Sequence, residues 1–216
     1  MDVLIGNLFL NSHNSYLNAQ YIMSSVKTKE LLMEKARQLF AKSGFENTTM
    51  NDIAEASQRG RRTLYTYFNS KKEIYNAVVE SELESMYVKL SKAVAREQTA
   101  SNKLMLFFVT RLEIIKDVVT RNGTLRGDFF RDIFRVENVR KTFDKQEIQL
   151  LKEILDEGVA LDEFEIIDTM NTARILHFAL KGLEVPYIRG LMTHDPKDTI
   201  DRNIVANIIF QGITKK

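Results

Sequence analysis

Residues that interrupt helices are scarce in this chain, and their scarcity limits the folds it can adopt. Only two prolines and nine glycines occur among its 216 residues. Proline removes a backbone donor and glycine costs conformational entropy, so long stretches without either favour continuous helices. Leu, Ile, Lys, Glu and Ala dominate, as is typical of helical proteins. The sequence therefore predicts an all-α fold, with enough length for one large domain or two small ones.

Composition also excludes several classes of function. The chain has no cysteine, which excludes disulfides, thiolate metal sites and cysteine nucleophiles and fits a cytoplasmic location. It contains no HExxH, GxSxG or phosphate-binding glycine loop, and its three histidines are scattered at His13, His177 and His194. We therefore predict a protein that is not an enzyme and has no catalytic residues, metal or cofactor. A helical enzyme is the weaker alternative.

The first 24 residues differ in composition from the rest of the chain. The first 22 hold one charge, Asp2, and the apolar run Val3 to Leu10 is too short to span a bilayer. The run also lacks the basic region and cleavage site of a signal peptide, and we predict no membrane partner. Residues 1–24 are predicted to be an extension, disordered or upstream of a native start at Met23. An ordered accessory helix is the alternative.

A first amphipathic helix is predicted after residue 25. Its apolar stripe, at the spacing of one helix face, consists of Leu32, Ala36, Leu39 and Phe40. Ser25 or Thr28 is placed to cap its start, and Gly44 is placed to end it in the left-handed conformation.

Two further short helices come next along the chain. "TTMNDIAEAS" begins with Thr49 and Asp52 at the spacing of a capping box. A connector, Gln58–Gly60, joins it to the brief helix "RRTLYTYF". Ser70 and Glu73 repeat the capping-box spacing and open a longer helix. Short helices joined by a few residues predict a helix-turn-helix in a domain of residues 25–80.

The third helix combines aromatic rings with arginines. If it starts near Arg61, then Leu64 and Phe68 share one face and pack inward, while Arg61 and Arg62 project elsewhere. Over residues 23–80 there are ten basic and seven acidic side chains, an excess of three. Five of the ten lie between positions 59 and 72. Because the whole chain carries only +2, this local concentration is what indicates nucleic-acid binding.

Taken in order, these motifs resemble a known family. "LFAKSGF", the Thr-Thr pair, "DIA", "TLYTYF" and the Ser-Lys-Lys-Glu cap, within Lys27 to Val79, are similar to the DNA-binding domain of the tetracycline-repressor (TetR) family of bacterial transcription regulators. The resemblance implies a repressor that binds a palindromic operator in double-stranded DNA as a homodimer. It implies DNA contacts at Thr49, Arg61, Arg62, Thr63, Tyr65, Thr66, Tyr67 and Lys71.

The turn of the motif departs from the family pattern. Where the family usually has glycine and then an apolar residue, this chain has Gln58, Arg59 and Gly60. Because the turn favours positive φ, we expect Gly60 to supply the missing freedom. Arg59 adds a candidate phosphate contact. The departure leaves open an alternative function, that of a helical ligand- or partner-binding protein with a decayed DNA-binding domain.

Residues 81–216 are predicted to be a helical effector-binding and dimerisation domain. Helical patterns cover 102–121, 144–158, 165–190 and 196–213. The last is apolar over more of its circumference than one domain covers. The family's last two long helices pair with their copies, which here implies an interface at Met170, Ala173, Leu180, Ile204, Val205, Ile208 and Ile209.

The resemblance also implies a small-molecule pocket in this domain. Candidate lining residues are Phe107, Phe108, Phe129, Phe130, Phe134, Phe143, His177 and Phe178. Such an aromatic set with few polar groups predicts an apolar or aromatic effector. By the family's mechanism, the effector favours a conformation whose half-site spacing does not fit the operator.

Overall fold

The structure is a computed structural model that describes residues 2–121, 133–189 and 191. These residues form seven α-helices and no β-strand, which confirms the predicted all-α fold. The helices are α1 (Asp2–Ser43), α2 (Met50–Ala56), α3 (Arg61–Tyr67), α4 (Lys71–Val94), α5 (Ala100–Arg121), α6 (Ile133–Ala160) and α7 (Thr169–Ile188). None of these described helices has the length and apolarity needed to cross a membrane. The chain divides into two compact units, Met1–Val78 and Val79–Lys216.

Helix α1 is longer than the sequence predicted. The predicted start at Ser25 or Thr28 is wrong, because the Thr28 hydroxyl lies inside the helix and donates to the carbonyl of Ser24 at 2.9 Å. Residues 2–24 belong to the same continuous helix. Its end is as predicted, since Gly44 has φ 82° and its N–H donates to the carbonyl four residues earlier at 3.0 Å.

The core of the first unit joins all of its helices. Its buried apolar side chains are Leu32, Ala36, Phe40, Ile53, Ala54, Leu64, Phe68, Ile74, Tyr75 and Val78. The rings of Phe40, Phe45 and Tyr75 pack with centroids 5.0–5.6 Å apart. Each fully buried large apolar side chain contributes about 1.5–3 kcal/mol, so a few such residues suffice to hold two seven-residue helices that would not form alone.

In the second unit, α5, α6 and α7 pack around a separate core. Its largest members include Leu104, Phe107, Leu112, Leu151, Leu155, Phe164, Leu180 and Tyr187. Helix α7 starts later than the predicted residue 165, because the Asp168 carboxylate caps it by accepting from the N–H of Asn171 at 2.9 Å. In the segment before it, Glu163 accepts from the N–H groups of Ala100 and Ser101 and so caps α5.

Gly158 was predicted to end a helix and does not. Helix α6 starts well before the predicted residue 144 and continues to Ala160. A Cβ at Gly158 would lie 2.1 Å from the ring of Phe164, whose backbone N–H donates to the Gly158 carbonyl at 3.1 Å. The glycine is therefore needed for close approach of the returning chain rather than for helix termination.

Candidate nucleic-acid interface

Helix α3 has the two faces that its sequence predicts. Leu64 and Phe68 are buried in the core of the first unit, while Arg61 and Arg62 are exposed. The helix begins at Arg61, after an N-cap at Gly60 that has no side chain to bond the first N–H groups. Because the apolar face of α3 is packed into the core, both guanidinium groups are held on the exposed side of the helix.

The arginines around the start of α3 have no acidic partner among the residues that the structure describes. Arg59, Arg61 and Arg62 are exposed, and none of them forms a salt bridge or side-chain hydrogen bond with a residue in the described part of the chain. Elsewhere in the first unit, Arg37 is paired with Glu34 at 2.7 Å. Three uncompensated guanidinium groups within four positions create a local positive potential on one surface.

Polar groups on α3 surround these charges. Tyr65 is 44% exposed, and Thr63 and Tyr67 are half-buried. The Thr66 hydroxyl donates to the carbonyl of Arg62 at 3.0 Å, so its oxygen can still accept a bond. All four side chains can offer hydrogen-bonding groups to phosphate or base edges near the arginines.

Thr49 is exposed at the start of α2 and forms the predicted capping box. Its hydroxyl accepts from the N–H of Asp52 at 3.2 Å, and its own N–H donates to the Asp52 carboxylate at 2.8 Å. The second predicted box is altered. Ser70 accepts from the N–H of Glu73 at 3.2 Å, but the Glu73 carboxylate accepts from the N–H of Asn69 rather than of Ser70.

The turn between α2 and α3 contradicts one expectation. Gln58, not Gly60, takes the left-handed conformation, with φ 53°, whereas Gly60 has φ −62°. The N–H groups of Gln58 and Arg59 donate back to the carbonyls of Glu55 and Ala54 at 3.0 and 3.1 Å. This closure of the α2 end requires positive φ at position 58, so a glutamine occupies the position where the family pattern has glycine.

We expect Gln58→Gly to raise the free energy of unfolding by about 0.5–1 kcal/mol, because glycine adopts positive φ without a side-chain clash. Urea unfolding followed by circular dichroism measures the change. Arg59→Gly is the matched control, since position 59 does not have positive φ and should lose stability. A loss at position 58 as large as that at 59 would contradict the assigned turn.

Lys71 differs from the other predicted DNA contacts. It is half-buried at the start of α4, and its ammonium donates to the carbonyls of Phe45 and Glu46 at 2.6 and 3.2 Å. The arginines of α3 have no such partners among the described residues, so Lys71 differs from them in that its charged group is bonded within its own domain.

The predicted effector-pocket residues separate into different environments. Phe107, Phe108 and Phe143 are buried, whereas Phe178 is 60% exposed. Phe129 and Phe130 and the side chain of Phe134 lie outside the described residues. His177 is buried, but within a set of charged groups that sequence analysis missed.

We call this set the buried ion network; it consists of Arg111, Arg140, Asp144, Glu147, His177, Lys181 and Glu184. Arg111 is 1% exposed and contacts Glu147 through Nε–Oε1 at 2.7 Å and Glu184 through Nη2–Oε1 at 2.5 Å. Burial raises the pKa of Glu147, but the neighbouring Arg111 guanidinium and the His177 imidazole together outweigh burial and hold that pKa below its ordinary value of 4.5.

His177 lies between two acidic residues of α6. Its Nδ1 lies 3.3 Å from Glu147 Oε2, and its Nε2 lies 3.6 Å from Asp144 Oδ1. These three side chains could offer ligand atoms to a cation. However, Lys181 already contacts Asp144 at 2.7 Å and Arg111 already contacts Glu147. Because both carboxylates are neutralised by protein cations, the trio is better described as part of an ion network than as a metal centre.

The structure also changes which residues of α7 can meet a second copy. Ala173 and Leu180, predicted for a dimer interface, lie in the core of the second unit and are not on its surface. The exposed apolar residues of this helix are Ile175 and Phe178, at 68% and 60%. Met170 is half-buried. The remaining predicted positions, Ile204, Val205, Ile208 and Ile209, lie outside the described residues.

Known proteins share both the motif and the fold. Residues 32–78 match the family model described as bacterial regulatory proteins, tetR family. The chain is 31% identical over 191 residues to the HTH-type transcriptional regulator YhgD of Bacillus subtilis, covering 88% of this chain and 97% of that one.

Two further similarities concern part of the chain and the fold. Over 74 residues it is 31% identical to IcaR of Staphylococcus aureus, described as a negative regulator of a biofilm operon; this covers 34% of this chain and 38% of that one. A transcriptional regulator from Cytophaga hutchinsonii superimposes with a TM-score of 0.66 at 23% identity, over 86% of this chain and 98% of that one.

Proposed function

The chain belongs to the tetR family of bacterial regulatory proteins and is a DNA-binding transcriptional regulator, and on that premise we propose that it binds a palindromic operator as a homodimer. In this proposal, it represses transcription in the cytoplasm until a small molecule releases it from the operator. The observation that carries the proposal is the exposed arginine surface at the start of α3, which has no acidic partner in the described part of the chain and lies opposite the buried Leu64 and Phe68. The repressor assignment is supported by the partial similarity to IcaR, named as a negative regulator.

We propose different roles for the members of the predicted DNA-contact set. Arg61 or Arg62 pairs bidentately with a guanine edge in the major groove. Arg59 and Tyr67 contact phosphates, which fix the register of the helix without reading sequence. The remaining proposed contacts around them are Thr49, Thr63, Tyr65 and Thr66.

The operator sequence can be identified by selecting the genomic DNA fragments that the protein binds. Purified protein is mixed with sheared DNA from the source genome at about 0.15 M salt, and the retained fragments are sequenced. We expect inverted half-sites whose centres are about one helical turn, or a multiple of it, apart. Retained fragments with no shared sequence would favour the alternative of a protein with a decayed DNA-binding domain. Expression of a reporter gene placed behind the palindrome should fall when the protein is co-expressed. A rise in reporter expression would overturn the repressor assignment.

The proposed homodimer predicts a change of mass on altering the exposed face of α7. Ile175→Glu with Phe178→Glu places two charges on the apolar surface, so we expect a monomer where the unaltered protein is a dimer. Light scattering after size exclusion measures the mass. Ile167→Glu is the control, because Ile167 is fully exposed outside the helix and should leave the dimer intact. A dimer that survives the double change would place the interface elsewhere.

The effector proposal is altered by the buried ion network. Phe107, Phe108 and His177 remain candidates, but His177 is surrounded by charges rather than by apolar groups. A wholly apolar molecule that displaced any of these charged contacts would leave buried groups unpaired, which is costly. We therefore propose that the effector joins an aromatic or apolar body to polar groups.

A further inference from the structure

Lys71 connects two segments that are distant in sequence. As the first residue of α4, it donates to the carbonyls of Phe45 and Glu46, 26 and 25 positions earlier, at 2.6 and 3.2 Å. The ammonium also lies 4.3 Å from the centroid of the Phe45 ring. An ammonium has three N–H donors, and two of them are directed at the segment that links α1 to α2.

The segment that Lys71 holds leads directly into α2. Asn47 donates to the carbonyl of Ser43 at 3.0 Å, and the Thr48 hydroxyl donates to that of Gly44 at 2.8 Å. These local bonds connect the segment to the end of α1, and Lys71 adds a connection to α4. The carbonyls concerned follow the negative end of the α1 dipole, where a cation is favourable. The next residue, Thr49, is the N-cap of α2.

We infer that Lys71 is a positioning residue, which orients the start of α2 toward DNA by holding the Phe45 and Glu46 carbonyls, and is not a phosphate contact. The inference rests on the proposed DNA-binding function, but it departs from the role that the family resemblance implies for this lysine. Two of its three N–H donors are already bonded to these carbonyls, so a phosphate contact would have to use the remaining donor alone or displace a carbonyl bond.

A measurement without DNA tests the structural part. Lys71→Met keeps an aliphatic chain against Phe45 and removes the ammonium, and Lys72→Met removes the same charge from an exposed neighbour. We expect faster hydrogen exchange at residues 45–52 in Lys71→Met, with unchanged exchange in Lys72→Met. Unchanged exchange in both variants would overturn the inference whether or not the protein binds DNA.

A second measurement separates positioning from phosphate contact. The palindromic duplex is the one that the unaltered protein retains from genomic DNA. Affinity for it is measured at several salt concentrations and at a temperature well below unfolding. We expect Lys71→Met to lose about tenfold in affinity with an unchanged slope of log affinity against log salt, whereas losing a phosphate contact lowers the slope by about 0.9. A lowered slope would assign a phosphate contact. Unchanged affinity would assign a role in stability alone. If the unaltered protein retains no palindrome, the proposed function fails, while the exchange result still stands.

Discussion

Replacing Arg61 and Arg62 together with alanine is expected to weaken operator binding by about 30-fold or more, while the domain stays folded. A bidentate pairing of an arginine with a base is worth about 1–3 kcal/mol, and losing two contacts of this strength removes about 2–6 kcal/mol, a factor of about 30 or more. The folded state should persist, because neither guanidinium group has a partner among the described residues and the apolar face of α3 is unaltered.

The salt dependence of the remaining binding identifies what each arginine does. A single substitution of a phosphate-contacting arginine should lower the slope of log affinity against log salt concentration by about 0.9 and should weaken binding to all duplexes equally. A variant at a base-reading arginine should instead relax preference at one base pair. Affinity measured by fluorescence anisotropy, with the palindrome and a scrambled duplex at several salt concentrations, distinguishes these results.

A control of equal charge makes the result specific to the surface of α3. Lys89→Ala with Lys92→Ala also removes two exposed positive charges, but from α4 in the other unit. We expect it to change affinity by less than about threefold, since neither lysine belongs to the proposed set of DNA contacts. Equal losses in both double variants would mean that net charge, and not the α3 surface, drives binding, and would remove the basis of the proposed interface.

The features of the DNA-binding unit that could be predicted from the sequence are those specified by residues only a few positions apart. The α2 cap depends on two residues three positions apart, Thr49 and Asp52, and both bonds are present. The buried face of α3 follows from the spacing of Leu64 and Phe68. Gln58 was missed because its positive φ is imposed by closure of α2 and not by its own preference.

The buried ion network gave no local signal. Arg111 and Glu147 lie 36 positions apart, and each alone resembles a solvated charge on an amphipathic helix. Only the packing of α5, α6 and α7 brings them together. The same packing buries Ala173 within its own unit, which the sequence could not indicate, since helical periodicity identifies an apolar face but not whether the same chain or a second copy covers it.

Arg111→Met is expected to lower the free energy of unfolding of the second unit by about 3–5 kcal/mol, because it leaves two buried carboxylates, Glu147 and Glu184, without their shared cation. Urea unfolding by circular dichroism measures the loss. Lys103→Met is the control: it breaks a 2.7 Å pair with Glu157 that is partly exposed, and should cost about 1 kcal/mol or less. A comparable loss in the two variants would mean that burial of the network carries no special penalty.

Adding Glu147→Gln and Glu184→Gln to Arg111→Met should restore part of the lost stability, because the buried carboxylate charges are then gone.

The dependence of stability on pH provides an independent test of the same explanation. In the unaltered protein the pKa of Glu147 lies below its ordinary value of 4.5, so its stabilising effect is present above that value and is lost as pH falls below it. Without Arg111, burial is the largest influence on that pKa and only His177 opposes it, so the pKa should rise and the variant should gain stability as pH falls from 7 toward 5. The difference between the two proteins should therefore narrow on acidification. A difference that stays constant from pH 7 to 5 would show that the variant is destabilised by lost packing rather than by unpaired charge.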